Sequence, residues 1–229
     1  RSIRHSKFIE NPVEEERIMR MLSTGRGHPN VLRLIDSMHD GKNVYTVMEL
    51  GSQGDLLDHI KRRTRLPAAS CRRYLHQLAS GLSYIHSFGI AHMDLTPENI
   101  LLDDHLNAKI MDFGLARDVY RRPLQPNDKF SGKAHYMSPE MVRGRRFDPF
   151  ANDVYSLGVV LYIMAVGLYP YADIDDRYFA LLELGGVAAL VKFTRVKVSR
   201  RLVELLDRML CPEAKRITVE ELLQHPFLV

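Results

Sequence analysis

An α+β fold in two unequal parts, a small strand-bearing part followed by a mainly helical one, is what the 229 residues predict. Three observations carry the expectation. Two short apolar runs, residues 31–37 and 44–50, are rich in Val, Leu, Ile and Tyr and flank the turn signal Asp40-Gly41, as a small antiparallel sheet requires. The composition changes across the loop Gly51 to Gly54, which divides the chain into residues 1–51 and 52–229. From Asp55 onward apolar residues recur mostly at helical spacing.

Taken in order, residues 1–7 are basic and patternless. Asn11-Pro12-Val13-Glu14 then opens a helix: Asn caps it, Pro fills the first turn and Glu14 completes a capping box. Val13, Ile18, Met19 and Leu22 supply its apolar face, and Gly25, Gly27 and Pro29 end it. In the second part Tyr74, Leu75, Leu78, Leu82 and Ile85 form one helical stripe that stops at Gly89. Residues 100–102 and 108–111 are short strands on either side of the Asp103-Asp104 turn. Residues 153–166 are almost all apolar after the first few and predict a buried central helix. Two more helices, 201–210 and 218–224, complete the chain, with Pro226 stopping the last. No internal repeat or low-complexity stretch interrupts this order.

Composition narrows the function classes. Hydrophobic residues make up 45% and charged residues 26% of the chain, ordinary for a globular protein with a full core. The net charge of +4 is spread along the sequence, and no dense basic stripe with interleaved aromatics predicts a nucleic-acid partner. Arg62-Arg63 and Arg72-Arg73 read as solvated helix faces. No apolar run reads as membrane-spanning and no signal peptide opens the chain, so no membrane partner is expected. The two cysteines, Cys71 and Cys211, lie far apart and outside any C-x-x-C pattern, which predicts free thiols in a reducing intracellular, cytoplasmic setting. A first residue of Arg rather than Met predicts a fragment.

The chemistry concentrates between His92 and Glu140. His92-Met93-Asp94 is followed by Asn99, four residues separating Asp94 from Asn99; Asp112-Phe113-Gly114 follows, and Ser138-Pro139-Glu140 closes the stretch. Asp94 alone would read as a turn residue, and each triplet alone is weak. Three ordered motifs at these separations resemble the H-R-D-x-x-x-x-N, D-F-G and A-P-E signatures of a eukaryotic protein kinase. The Pro97-Glu98-Asn99 run is similar to the serine/threonine branch, and the likeness extends over residues 8–228.

That resemblance implies a bilobal protein-kinase-like fold with a truncated small lobe and a mainly helical large one. It implies transfer of the ATP γ-phosphoryl group to a Ser or Thr hydroxyl of a protein substrate. Asp94 would take the acceptor's proton, and Asn99 and Asp112, hard oxygen ligands, would hold Mg²⁺. The first helix would be the family's regulatory helix, with Glu15 as its lysine-pairing acid. Met48, Glu49 and Gly51 would form the adenine hinge with Met48 as gatekeeper, and Asp55, Glu98 and Leu101 would complete the ATP-binding set. Asp55 and Glu98 equally suit helix capping, or recognition of a basic residue upstream of the acceptor. Asp153 would stand at the start of the central helix, and Arg216 would pair with Glu140 as structure rather than chemistry.

Departures from the family pattern carry their own expectations. The Gly-rich loop and strand lysine that should precede the first helix are not in the sequence, and Lys7 lies only eight residues before Glu15; the chain as given should bind nucleotide weakly and show little or no activity. Met93 replaces the arginine that many kinases pair with an activation-segment phosphate, and Lys129 stands where that phosphate is usually carried. No phosphorylation switch of the usual kind is expected, at Ser131 or elsewhere nearby. Thr96 replaces the catalytic-loop lysine, and Lys133 stands where a threonine is usual. Together they keep one cation and one hydroxyl beside Asp94 from exchanged positions, which a lysine's long stem permits. The alternative is a pseudokinase serving as a scaffold or binding module. A small-molecule phosphotransferase shares the Asp–Asn–Asp core but is disfavoured by Ser138-Pro139-Glu140 and Arg216.

Overall fold

A computed structural model describes residues 12–125 and 132–229. Asn11, Lys7, Lys129 and Ser131 lie outside the described residues. The first part holds helix α1 (Pro12–Leu22) and the antiparallel strands β1 (Leu34–His39) and β2 (Val44–Met48). Strand β1 carries a bulge between Leu34 and Asp36. Asp40 makes the expected turn, its Oδ1 accepting the backbone N–H groups of Lys42 and Asn43. Helix α1 buries Ile18, Met19 and Leu22. Val13, expected in that face, is 66% exposed, while Pro12 and Glu15 of the same turn line a cavity with Met48 and Asp112.

The second part begins with α2 (Leu56–Lys61), capped by the Asp55 carboxylate, and the long helix α3 (Ala68–Ser87). The five apolar residues expected on α3 are all buried, and Gly89 follows at φ +72°. Two pairs of short segments then build the site: β3 (Ile90–Ala91) with β6 (Arg117–Asp118), and β4 (Ile100–Leu102) with β5 (Ala108–Ile110), each antiparallel. Asp103 ties the β4–β5 turn by accepting from the N–H groups of His105 and Asn107. Val31 belongs to no strand; it makes a parallel bridge to Ile110. With Asn30 Nδ2 donating to the Ala108 carbonyl at 2.8 Å, this bridge fastens the first part to the second.

The remaining helices are α4 (Pro139–Val142), α5 (Pro149–Val166), α6 (Arg177–Thr194), α7 (Arg200–Met209) and α8 (Val219–Leu223). Helix α5 starts four residues before the expected Asp153, because Asp148 caps it and Pro149 fits its first turn. By length and composition it could cross a membrane, contrary to the sequence expectation, but 89% of its 18 residues are buried inside the protein. It is the core's central rod, packed on α3 and α7. Helix α6 was not expected. Gly186 kinks it at φ +64°, ψ −170°, a conformation open in practice only to glycine. Both cysteines are free, and burial pushes the Cys71 thiol up to about 12.

The arginine pairs lie on exposed surface as expected: Arg72 stands over the Phe227 ring, and Arg73 covers Tyr74 and donates to the Leu106 carbonyl. The sheet of β1 and β2 differs in burial from a core sheet. Ile35, Met38, Tyr45, Val47 and Met48 are each 40% exposed or more.

Candidate functional site

Asp94 sits at the end of a loop that a buried aspartate shapes. Asp153, fully buried on α5, accepts the N–H of His92 at 2.7 Å and of Met93 at 2.8 Å, and faces His86 Nε2 at 2.9 Å. These bonds hold Met93 at φ +65°, a left-handed backbone unusual for a residue with a Cβ. The turn brings Asp94 to the molecule's surface, where it is half-buried. Its carboxylate Oδ2 and its own carbonyl both accept from Asn99 Nδ2, each at 2.9 Å. With the amide nitrogen so committed, the Asn99 oxygen is the atom left to face a cation.

Asp112 is brought to this loop by backbone. The N–H of Met111 donates to the Asn99 carbonyl at 2.9 Å, and the Met111 carbonyl lies 3.0 Å from His92 Nε2. The next residue, Asp112, is exposed, stands at φ +66° and accepts the N–H of Gly114. Phe113 is buried against the His92 ring. Two left-handed residues one position from each other's hydrogen-bond network are strain concentrated at one site. One carboxylate and one amide, with no third His, Cys, Asp or Glu cluster among the described residues, form too sparse a set for zinc. They fit Mg²⁺, whose shell is completed by phosphate oxygens and water.

Beside these groups a cavity of about 340 Å³ is lined by Glu15, Met19, Leu32, Met48, Met111 and Asp112. The structure thus gathers Glu15 and Met48 around Asp112, as the sequence implied. A larger cavity of about 540 Å³, between the end of α3 and the start of α8, is lined by Arg216 but by none of the residues expected to bind nucleotide or metal or to take the proton; the chemistry, not the size, marks the site. Glu49 serves as a strut: its Oε2 takes the Lys109 ammonium at 2.7 Å, and its N–H donates to the Arg33 carbonyl. Gly51 passes so close to Leu101 that a Cβ there would lie 2.6 Å from the leucine side chain. Asp55 bridges Leu101 through the backbone, and its carboxylate accepts the N–H of Asp58 at 2.8 Å. Helix capping is therefore what its side chain does here.

Thr96 is fully buried, and Lys133 reaches it from across the cleft. Lys133 Nζ lies 3.5 Å from Thr96 Oγ1 and 2.8 Å from Glu98 Oε1. Burial raises the Glu98 carboxyl, but the Lys133 ammonium, the backbone and the Thr96 hydroxyl together hold the group below its ordinary value. Tyr136 stands within 3.5 Å of the other Glu98 oxygen and bonds Tyr169. Met93, read from the sequence only as a missing charge, is buried among Ala91, Met141 and Phe147, with Leu115, Val119 and Met137 packed against them. Glu140 and Arg216 meet as expected at 3.0 Å, with the guanidinium also donating to the carbonyls of Ala151 and Cys211 and lying over the Tyr155 ring.

One interaction here was missed. Arg17 of α1 spans Glu14, at 2.6 Å, and Asp118 of β6, at 2.7 Å. The spacing of Glu14 and Arg17 on one helix face was legible; the partner 101 residues away was not.

Comparison with known proteins agrees with this geometry. The model of the protein kinase domain family matches residues 2–228. The chain is 36% identical over 226 residues to testis-specific serine/threonine-protein kinase 1 of Mus musculus, covering 96% of this chain and 59% of that protein. It is 36% identical over 213 residues to serine/threonine-protein kinase GIN4 of Saccharomyces cerevisiae, covering 92% of this chain and 18% of the relative. It is 34% identical over 202 residues to mitosis inducer protein kinase cdr2 of Schizosaccharomyces pombe, covering 88% and 25%. The chain thus spans 59% or less of the length of these relatives.

Proposed function

Because the chain belongs to the protein kinase family, as a domain of the serine/threonine type, we propose that it transfers the γ-phosphoryl group of ATP to serine and threonine hydroxyls of protein substrates. The acceptor oxygen forms the new bond to phosphorus, the bond to the bridging oxygen breaks, and ADP leaves. Asp94 receives the hydroxyl proton. Asn99 and Asp112 would hold Mg²⁺, which when bound neutralises phosphate charge. Glu15, Met48, Glu49, Gly51 and Leu101 would border the nucleotide, with residues 1–51 as a partial small lobe over the large lobe of 52–229. Asp55 and Glu98 belong to the same rim. Free thiols at Cys71 and Cys211 fit the reducing cytoplasmic setting we propose.

The observation that carries this reading is the double bond of Asn99 Nδ2 to Asp94, coupled through Met111 to Asp112. It links the three residues to which this reading gives the roles of base and metal ligands. A scaffold without activity is not favoured, since all three groups are intact and the relatives are serine/threonine kinases. The test is transfer of labelled γ-phosphate by the full-length protein to a mixed Ser/Thr peptide library with Mg²⁺. Asp94→Asn should lower kcat by about 10²–10⁴-fold, and Asp112→Asn should raise the Mg²⁺ requirement. Transfer by Asp94→Asn at the parent rate would remove the reading.

A further inference from the structure

The cavity of about 540 Å³ between α3, α5 and α8 takes no part in the transfer described above. Its volume falls within the roughly 300–1,000 Å³ that small molecules occupy. Phe150, Ala151 and Val154 of α5, with Ile217 and Val219 beside the start of α8, give it an apolar lining. Set into that lining are polar groups of a single tendency. Asp148, Glu213 and Glu220 all belong to the wall, and among the described residues none of them has a basic side chain as partner. Asp148 Oδ1 takes only the N–H of Phe150, and Glu213 Oε2 only the N–H of Asp148, each at 2.9 Å. Arg216 also lines the wall, but its guanidinium is spent on Glu140 and on the carbonyls of Ala151 and Cys211.

The last polar group is His86. Its side chain is 8% exposed, and its ring lies 4.7 Å from that of Phe150. Nε2 stands 2.9 Å from Asp153 Oδ2. The Asp153 carboxylate accepts there, so Nε2 carries the proton and Nδ1 of the neutral ring is an acceptor. Among the described residues that acceptor has no partner.

We propose that this cavity is a binding site for a small organic cation, a protonated amine on an apolar body, held by His86 Nδ1 and by the field of Asp148, Glu213 and Glu220. An ammonium group brings three N–H donors and no acceptor, the complement of such a wall. The Phe150 ring adds attraction for a cation, and the ligand's apolar body covers Val154 and Ile217. An anion would meet three carboxylates with the one guanidinium already engaged. An uncharged apolar molecule would bury His86 Nδ1 without a donor, which costs binding. The site is separate from the nucleotide cleft, since Asp94, Asn99 and Asp112 do not line it.

The test is titration of the full-length protein, carrying isotope-labelled histidine, with phenethylamine, the His86 ring signals being assigned through His86→Gln. A saturable shift of the Nδ1 signal is expected. Phenethyl alcohol, of the same shape without the charge, should bind the parent about tenfold more weakly or worse, as for loss of a charged hydrogen bond. Glu213→Gln with Glu220→Gln should weaken the amine about two- to fivefold, and Ser83→Trp, which puts a ring into the cavity from α3, should abolish binding. Absence of a saturable His86 shift overturns the proposal, and so does equal affinity for amine and alcohol. Binding that a folded Ser83→Trp leaves untouched overturns it too; should that variant not fold, the comparison of amine with alcohol on the parent decides. No step of the test uses phosphoryl transfer, so its failure and that of the kinase reading are separate results.

Discussion

Arg17 Nη2 lies 2.7 Å from Asp118 Oδ2, joining the first helix to the strand that follows the Asp112 turn. The Asp118 side chain is 8% exposed, and its other oxygen accepts the N–H of Arg121. A helix that carries Glu15 is thereby tied to β6 through Asp118, while Glu14, one turn before Arg17 on the same helix, braces its guanidinium.

Cutting this tie should be measurable. Arg17→Ala and Asp118→Asn should each destabilise the protein by about 1.5–3 kcal/mol, as for hydrogen bonds to charged groups, and a double-mutant cycle by denaturant melting should show strong coupling. Strictly additive losses would mean the contact contributes nothing. The Arg17 hydrogen bond also holds the Glu14 carboxyl below its ordinary value. A depressed carboxyl contributes stability above the ordinary carboxylate range and loses it as pH falls through the folded value. Helix α1 should therefore loosen on the acid side, an effect absent in Arg17→Ala.

Met93 gives the second prediction. Buried at 5% exposure in an apolar cluster, it should cost about 2–5 kcal/mol when cut to alanine and under about 1.5 kcal/mol when changed to leucine. Met93→Arg, the change that restores the residue usual in the family, should destabilise more than alanine, because it buries an unpaired charge. Denaturant melting of the three variants checks the order. Phosphatase treatment of the parent should leave its activity unchanged, since Leu115, Val119 and Met137 pack against the cluster that holds Met93, where the family usually carries the phosphate-pairing arginine.

The exchanged positions give the third. Lys133→Thr should abolish transfer in the full-length protein, and Lys133→Thr with Thr96→Lys should restore part of it, measured as kcat on a serine peptide. Thr96 is fully buried, so recovery depends on the space vacated at position 133. Two variants indistinguishable from the parent would remove the idea.

Arg216 gives the fourth. Its side chain is fully buried and makes four hydrogen bonds, a fork that lysine cannot reproduce. Arg216→Lys should lose about 2–3 kcal/mol by thermal or chemical melting. Burial raises the Glu140 carboxyl, but the Glu213 N–H and Arg216 together hold it below its ordinary value. The stability this provides is full above the ordinary carboxylate range and falls with pH through the folded value; Arg216→Lys should flatten that fall.

Much of this was legible because the site is built from short fixed spacings. Asp94, Asn99 and Asp112 could be read from the chain, and so could the distant Glu140–Arg216 pair, once the order of motifs was recognised. Helix α3 was legible from its stripe of Tyr74, Leu75, Leu78, Leu82 and Ile85. What escaped was side-chain traffic between distant segments. Nothing local says that Arg17 meets Asp118, that Lys133 chooses Glu98, or that the hole left by an absent arginine is filled with Leu115, Val119 and Met137. Asp55 was ambiguous between ribose contact and capping, and the bond to Asp58 N–H assigns its side chain to capping. Helix α6 escaped because no stripe in its sequence was read, and Gly186 breaks it into two helical segments across a kink.

Helix α5 has a consequence for how the protein is made. During translation its 18 mostly apolar residues emerge well before α7, which covers one of its sides. Until that helix is synthesised, the nascent chain displays a segment with the length and composition of a membrane span. Ribosome-bound chains ending before residue 200 should therefore be held by chaperones that grip exposed apolar stretches, and release should follow completion of α7.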